Sequence, residues 1–222
     1  MNGDFFFPIQ LSILVACIAA AVSLILAVLA AYRTVMTDGR GSSVLETVYL
    51  LPLVLPPSVL GFLLLFIFGM NSPVGRTVEL LLGQTILFSK SAAVIAAVIV
   101  SFPLMYQSVK TGFAEVNRDI VGASKVDGAS NWKAFYHVVL PLAKRSIVMG
   151  VILGFTRALG EFGATLMFAG NIPGKTQTIS TAIYVAIESG ESHLAWKYAG
   201  VSIGLSFLLL FLVKGLDGRK EI

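Results

Sequence analysis

The sequence predicts an all-α, polytopic membrane protein with about five transmembrane helices in a single domain spanning residues 1–222. Three observations lead there. The chain is 56% hydrophobic and only 13% charged, with a mean hydropathy of +0.87, whereas soluble domains carry about a quarter of their residues as charges. Long uncharged runs recur at lengths that fit a bilayer. The basic residues between those runs fall mostly on one side.

A helix that crosses a bilayer needs about 20 mostly apolar residues. Phe5–Tyr32 carries no charge and predicts a first span over 9–31. The uncharged run Thr47–Gly75 predicts a second over 47–69. It holds Pro52, Pro56 and Pro57, which remove backbone donors and should kink it. Such a kink either packs harmlessly against a neighbour or lines a watery path. Ser91–Val109, between Lys90 and Lys110, predicts a third span. Ser146–Ala169 predicts a fourth, interrupted by Arg157 and Glu161, and Leu194–Val213 a fifth, with Lys197 and Lys214 placed to snorkel to the interfaces. Val78–Phe88 and Gln177–Ser189 are apolar but too short to cross, and read as interfacial or re-entrant segments on the outer side. Cys17, alone in an apolar run, is expected to be inert packing. The start, MNGDFFFP, lacks the basic region of a secretory leader. No tandem repeat and no second soluble domain is evident.

Charge sets the orientation. With the N-terminus outside, the cytoplasmic segments 33–46, 110–145 and 214–222 hold Arg33, Arg40, Lys110, Arg118, Lys125, Lys133, Lys144, Arg145, Lys214, Arg219 and Lys220. The outer segments hold only Arg76, Lys90, Lys175 and Lys197. That asymmetry obeys the positive-inside rule. The net charge of +4 and a pI near 9.3 therefore report topology rather than nucleic-acid binding, since no continuous basic stripe exists.

The polar loop 110–145 is too large to be a mere connector. Glu115–Val126 can form a short helix, Gly128 permits a turn, and Ser130 can cap a second helix through about Val139, which Pro141 would end. Trp132, Phe135 and Tyr136 then lie within about a turn of one another, as interface anchors do. The same pattern also suits an amphipathic helix lying on lipid headgroups. Within the fourth span, Gly150, Gly154, Arg157 and Glu161 fall on one helical face. The glycines suit close helix contact, and the two charges, one turn apart, can neutralise each other. They either fix helix packing or present Arg157, whose fork geometry suits oxyanions, to a path.

Two segments carry a family resemblance. Gly122-Ala123-Ser124, then Gly128, then Val138-x-Leu140-Pro141 resembles the E-A-A, three residues, G, nine residues, I-x-L-P motif by which the permeases of ABC importers engage their ATPases. Gly122 replaces the usual acidic residue, and Asp119 is the nearest acid upstream. Arg157-Ala-Leu-Gly-Glu-Phe-Gly-Ala-Thr165, followed by Ala169-Gly-Asn-Ile-Pro-Gly174, Thr176-Gln-Thr178 and the stretch 182–190, resembles the molybdate branch of those permeases. The resemblance covers essentially the whole chain. It implies a helical permease core of the small oxyanion-importer type, a homodimer with its path on the two-fold axis, in a bacterial or archaeal cell membrane. It implies two cytoplasmic ABC ATPase subunits, which hold the ATP and Mg²⁺ so that this chain needs no cofactor, and an extracytoplasmic molybdate-binding protein. The ATPase-coupling set it implies is Gly122, Ala123, Ser124, Asp127, Gly128, Ala129, Ser130, Trp132, Phe135, Leu140 and Pro141. Gly150, Gly154, Arg157, Glu161 and Thr165 are then expected in the path or the dimer interface. A sulfate or thiosulfate permease, or an anion channel or secondary transporter needing no ATPase, are the competing readings.

No catalytic constellation competes. Ala169–Thr176 fits a relaxed phosphate-loop pattern, but a true one follows a strand in a cytosolic α/β domain, and this one follows a membrane span on the outer side. His137 and His193 are placed on opposite sides of the membrane and cannot share a metal. A noncatalytic membrane subunit is expected.

Overall fold

The computed structural model describes residues 5–36 and 42–217, and every regular element among them is a helix. Arg40, Arg219 and Lys220, used above for orientation, lie outside those residues. Three helices are long and apolar enough to cross a membrane: α1 (Phe6–Met36), α5 (Lys90–Ala114) and α12 (Ser192–Asp217), the last qualifying over Ser192–Phe211. Two bent pairs bring the count to five when each is taken as one span.

Small residues decide how these helices meet. Ala16, Ala19, Ala27 and Ala31 of α1 are fully buried, as are Ala92, Ala93, Ala96 and Ala97 of α5, the helix on which α1 chiefly packs. With only methyl groups between them, two backbones approach closely, as helix contacts in lipid favour. Ser23 seals the contact, donating to the Val98 carbonyl at 3.2 Å and lying 3.0 Å from the Ser101 hydroxyl. Cys17 is on the opposite side of α1 and exposed, so the expectation of buried packing fails. Its neighbours Ile13, Leu14 and Ile18 are exposed too, a stripe that the described residues leave uncovered.

The second span is broken rather than kinked. α2 (Ser42–Val54) turns into α3 (Pro57–Phe68) by 112°. Pro56 stands at the N-cap and Pro57 in the first turn of α3, where a missing N–H costs nothing. The short helix α4 (Pro73–Leu82) is capped by Ser72 and stopped by Gly83 at φ +68°. It therefore begins and ends earlier than the expected 78–88 segment.

α5 continues to Ala114, past the expected end at Val109. The next helix, α6 (Arg118–Val126), starts after Asn117 caps it, so Glu115 ends α5 instead of opening α6. α7 (Asn131–Ala134), a π turn over Phe135–Val139 and α8 (Leu140–Leu142) form one continuous helix, Asn131–Leu142. Pro141 does not end it. A proline ring clashes with the carbonyl four residues back in an α-helix, and the wider π turn over His137 relieves that clash. After Ala143 the chain bends by 70° into α9 (Lys144–Leu159). α9 breaks at 160–162 and resumes as α10 (Gly163–Phe168), so the fourth span is two pieces. α11 (Ile179–Glu188) matches the expected outer segment, and a Thr178–Thr181 capping box starts it. Its Ile179 N–H donates to Ser12 of α1 at 2.8 Å, and Phe5 stacks on Tyr198 of α12 at 4.8 Å. The α11–α12 hairpin therefore leans on the N-terminal end of α1.

Candidate functional site

The first candidate site is the elbow between α6 and α9. Gly128 has φ +90°, a conformation open to glycine and strained for side chains. Its N–H donates to Lys125, and that of Ala129 to Ser124, both at 3.0 Å, a glycine-centred stop for α6. The Ser130 hydroxyl then accepts from Lys133 N–H at 3.3 Å and caps α7, as expected.

The elbow has two faces. Inward, Phe135 is 3% exposed and sits 4.6 Å from the Tyr32 ring of α1 and 5.4 Å from Phe113 of α5. Val139 is buried with it, and Leu140 packs against the same cluster. Phe135 and Leu140 are therefore anchors to this chain's own helices, not surface contacts. Outward, Gly122, Ala123, Asp127, Gly128, Ser130, Trp132 and Pro141 are exposed, and Ser124 and Ala129 partly so. Trp132 and Tyr136 each keep 60% of their surface open. Two residues that the motif comparison overlooked join them: Ile120, 48% exposed, and Val126, 89% exposed. An apolar cluster this open at the polar end of a membrane protein marks an interaction surface. The signal for it was the apolar spacing within Arg118–Val126.

The second candidate site is the break between α9 and α10. Arg157 Nη1 lies 2.8 Å from Glu161 Oε2, and Glu161 Oε1 accepts the Ala164 N–H at 2.8 Å. One carboxylate thus holds the guanidinium and caps α10, where a negative charge is favoured. Glu161 is buried, whereas the Arg157 side chain keeps 30% of its surface open. The other broken span meets this one: a Cβ on Gly163 would stand 2.8 Å from the Pro57 Cβ, and one on Gly61 2.8 Å from the Met167 Cβ. Around Arg157 the chain presents Pro56, Pro57, Ser58, Thr156 and Gly160 as exposed residues. Irregular backbone at membrane depth is stable only inside protein or beside water.

Gly150 and Gly154 do other work. Cβ atoms there would fall 3.1 Å from Ser108 Cβ and 2.4 Å from Met105 Cε, both on α5 of the same chain. They let α9 close onto α5 and are not available to a second copy, which removes them from any dimer interface. Thr165 is buried as well. The phosphate-loop pattern is likewise occupied: the Lys175, Thr176 and Gln177 N–H groups all converge on the Ile172 carbonyl, at 3.0, 2.9 and 3.3 Å. The Lys175 and Thr176 amides of the pattern are thus spent within the turn. Among the described residues no group of three or more His, Cys, Asp or Glu is placed to hold a metal.

A multi-pass helical bundle with a rigid, outward-facing elbow at one end and a broken, partly open helix crossing within it defines a transport permease. The chain belongs to the family of binding-protein-dependent transport system inner membrane components, which it matches over residues 11–221. It is 53% identical over 212 residues to YvgM of Bacillus subtilis (strain 168), provisionally named a molybdenum transport system permease protein, covering 96% of this chain and 93% of YvgM. It is 38% identical over 210 residues to the molybdenum transport system permease protein ModB of Escherichia coli (strain K12), covering 94% and 91%. Its fold is similar to a chain of the bacterial alginate ABC transporter solved with an alginate-bound periplasmic protein, with a TM-score of 0.78 at 13% identity over 98% of this chain and 80% of that one.

Proposed function

We propose that this chain is the membrane-spanning subunit of an ATP-driven importer for molybdate, and for tungstate as a close mimic, working as a homodimer. The observation that carries the coupling half is the elbow: an exposed apolar surface, with Ile120 and Val126 on α6 and Trp132 and Tyr136 on the helix that Phe135 anchors. A channel has no use for such a lever; a permease driven by two cytoplasmic ATPase subunits does. The residues placed to meet those subunits are Gly122, Ala123, Ser124, Asp127, Gly128, Ala129, Ser130 and Trp132, with Phe135, Leu140 and Pro141 holding them in place. The oxyanion half rests on the names of the relatives and on Arg157, the one basic residue in the fourth span, whose exposed edge borders the crossing of the two broken spans.

The N-terminus is read as outside and the C-terminus as cytoplasmic, from the basic residues. A binding protein outside would deliver the anion to the outer segments 70–90 and 170–193. The dimer reading is supported by Gln107, a polar residue exposed within α5, which needs water or a second copy beside it rather than lipid.

Uptake of labelled molybdate by cells with and without this chain, challenged with excess tungstate and excess sulfate, tests the reading. Loss of uptake on deletion, with competition by tungstate and not by sulfate, is expected. Strong competition by sulfate would move the chain to a sulfate or thiosulfate permease, and unaltered uptake on deletion would overturn the assignment of cargo.

A further inference from the structure

Among the described helices, α2 packs chiefly on α5, and it does so at two points about a turn apart. At the first, Glu46 pairs with Lys110 of α5. At the second, Tyr49 meets the rings of Tyr106 and Phe102 edge-on, with centroids 5.2 and 5.6 Å away. Tyr106 is fully buried, and its hydroxyl lies 3.1 Å from the Thr34 hydroxyl of α1, so the surface under Tyr49 is fixed. A single aromatic contact is a pivot about which α2 can turn. The ion pair, a turn away, removes that freedom.

Both ends of this contact lead to the sites described above. Lys110 stands one turn before Phe113, whose ring lies 5.4 Å from Phe135 of the elbow. α2 stays helical through Pro52, and the Leu55 N–H still donates to the Leu51 carbonyl at 3.2 Å. The chain then breaks by 112° into α3, where Pro57 lies against Gly163 of α10, beside the Arg157–Glu161 pair. We propose that the Glu46–Lys110 pair is a strut that makes α2 travel with the elbow end of α5. Displacement of the elbow thereby reaches the crossing of the broken spans by a second route, through α5 and α2 as well as through α9. Lys110 and Glu46 keep 32% and 28% of their side-chain surfaces open. A pair that exposed adds little to folding stability; what it fixes is the direction in which α2 moves. Glu46 and Lys110 are thus positioning residues. The inference rests on the reading of the elbow as an ATPase contact and is independent of the cargo.

The full chain carrying Cys17→Ser and Ser58→Cys, in complex with the ATPase subunits that co-purify with it, is alkylated by a maleimide with and without ATP and vanadate. Ser58 is exposed next to Pro57, and nucleotide should change its alkylation rate. Glu46→Gln and Lys110→Gln should each shrink that change about threefold, the scale of a partly exposed ion pair, with the ATPase still bound. Glu46→Lys combined with Lys110→Glu should restore it. A role in folding alone would lower the yield and leave the response of the surviving complex intact. A covalent bridge between Glu46→Cys and Lys110→Cys, made without Ser58→Cys, should leave ATP turnover running. Arrest by the bridge would mean that α2 and α5 must part, and would overturn the strut. Single variants that respond in full, or an unresponsive parent with its ATPase bound, would overturn this proposal alone. Failure of any ATPase to co-purify would remove the elbow from coupling, and the proposal with it.

Discussion

Replacing Arg157 by alanine tests the membrane-buried pair most directly, because its two halves are not equivalent. The substitution removes the 2.8 Å bond to Glu161 and leaves a carboxylate that is 3% exposed with one donor, the Ala164 N–H, on its other oxygen. Stranding one partner of a buried pair costs about 3–5 kcal/mol. Glu161→Gln removes the charge from the other side. The glutamine carbonyl can still accept from Ala164, and Arg157, with 30% of its side chain open, can turn toward water. That variant loses one charge-assisted bond, about 1.5–3 kcal/mol, with the lower end favoured by the exposure. Arg157→Ala should therefore be the more damaging by about 2 kcal/mol, and the double variant should cost less than the two singles together. Unfolding free energies measured by steric trapping in detergent would show the order. Equal or reversed costs, or plain additivity, would refute the claim that burial of Glu161 controls this site.

Three further outcomes follow from single positions. Gly128→Asp meets open space, since no atom lies within 4 Å of the added Cβ, so its effect is conformational. The turn should lose about 1–2 kcal/mol, with membrane insertion intact and a co-purified ATPase partner lost; retention of that partner would remove the elbow from coupling. Gly112→Ala places a Cβ 2.4 Å from Ser146 Cβ and should prise α5 from α9, loosening the 2.7 Å Ser108–Ser146 bond at about 1–3 kcal/mol. A neutral result in the same unfolding assay would mean that the helices stand further apart. On α11, the hydrogen bond from the Tyr184 hydroxyl to Glu188, with the carboxylate's charge, holds the Tyr184 pKa above 10.0. The folded state thus favours the protonated phenol, a preference present below the unfolded value and lost as pH rises through the folded one. Ultraviolet titration of wild type against Tyr184→Phe should place this phenol above the ordinary range, and Glu188→Ala should bring it back.

The legible part of the fold was what hydropathy reports: the long apolar runs that become α1, α5 and α12, each long and apolar enough to cross a membrane. Glycine and serine chemistry also read correctly at the elbow, because Gly128 and Ser130 act through local backbone geometry that spacing alone encodes. What spacing could not show is which neighbour a face meets. Gly150 and Gly154 look the same in sequence whether they accept Met105 and Ser108 of their own chain or a helix of another copy. Phe135 and Trp132 are both aromatics on one short helix, yet one is buried against Tyr32 and Phe113 while the other, a turn earlier, stays largely open. Pro141 misled because a helix stop is the local expectation, and relief of its clash by a π turn six to two residues upstream is invisible locally.

The placement of Phe135 limits how the elbow can work if an ATPase grips it. The outer side chains Trp132 and Tyr136 share a helix with Phe135 and Val139, which are packed among α1 and α5. Burial of one such phenylalanine is worth about 1.5–3 kcal/mol, comparable to the free energy by which distant sites are usually coupled. A pull on Trp132 therefore cannot peel α7 away cheaply; it must carry the ends of α1 and α5 with it. Rotation of α7 against α9 is also resisted. Returning the π turn to α geometry would set the Pro141 ring against the His137 carbonyl, so that register is fixed. The bend at Ala143 keeps its hydrogen bonds, from Ala143 to Val139 and from Ile147 to Ala143, and transmits force instead of absorbing it. Motion at the elbow then reaches α9 and, sixteen residues on, the Arg157–Glu161 break, where the backbone is already interrupted and the two broken spans touch.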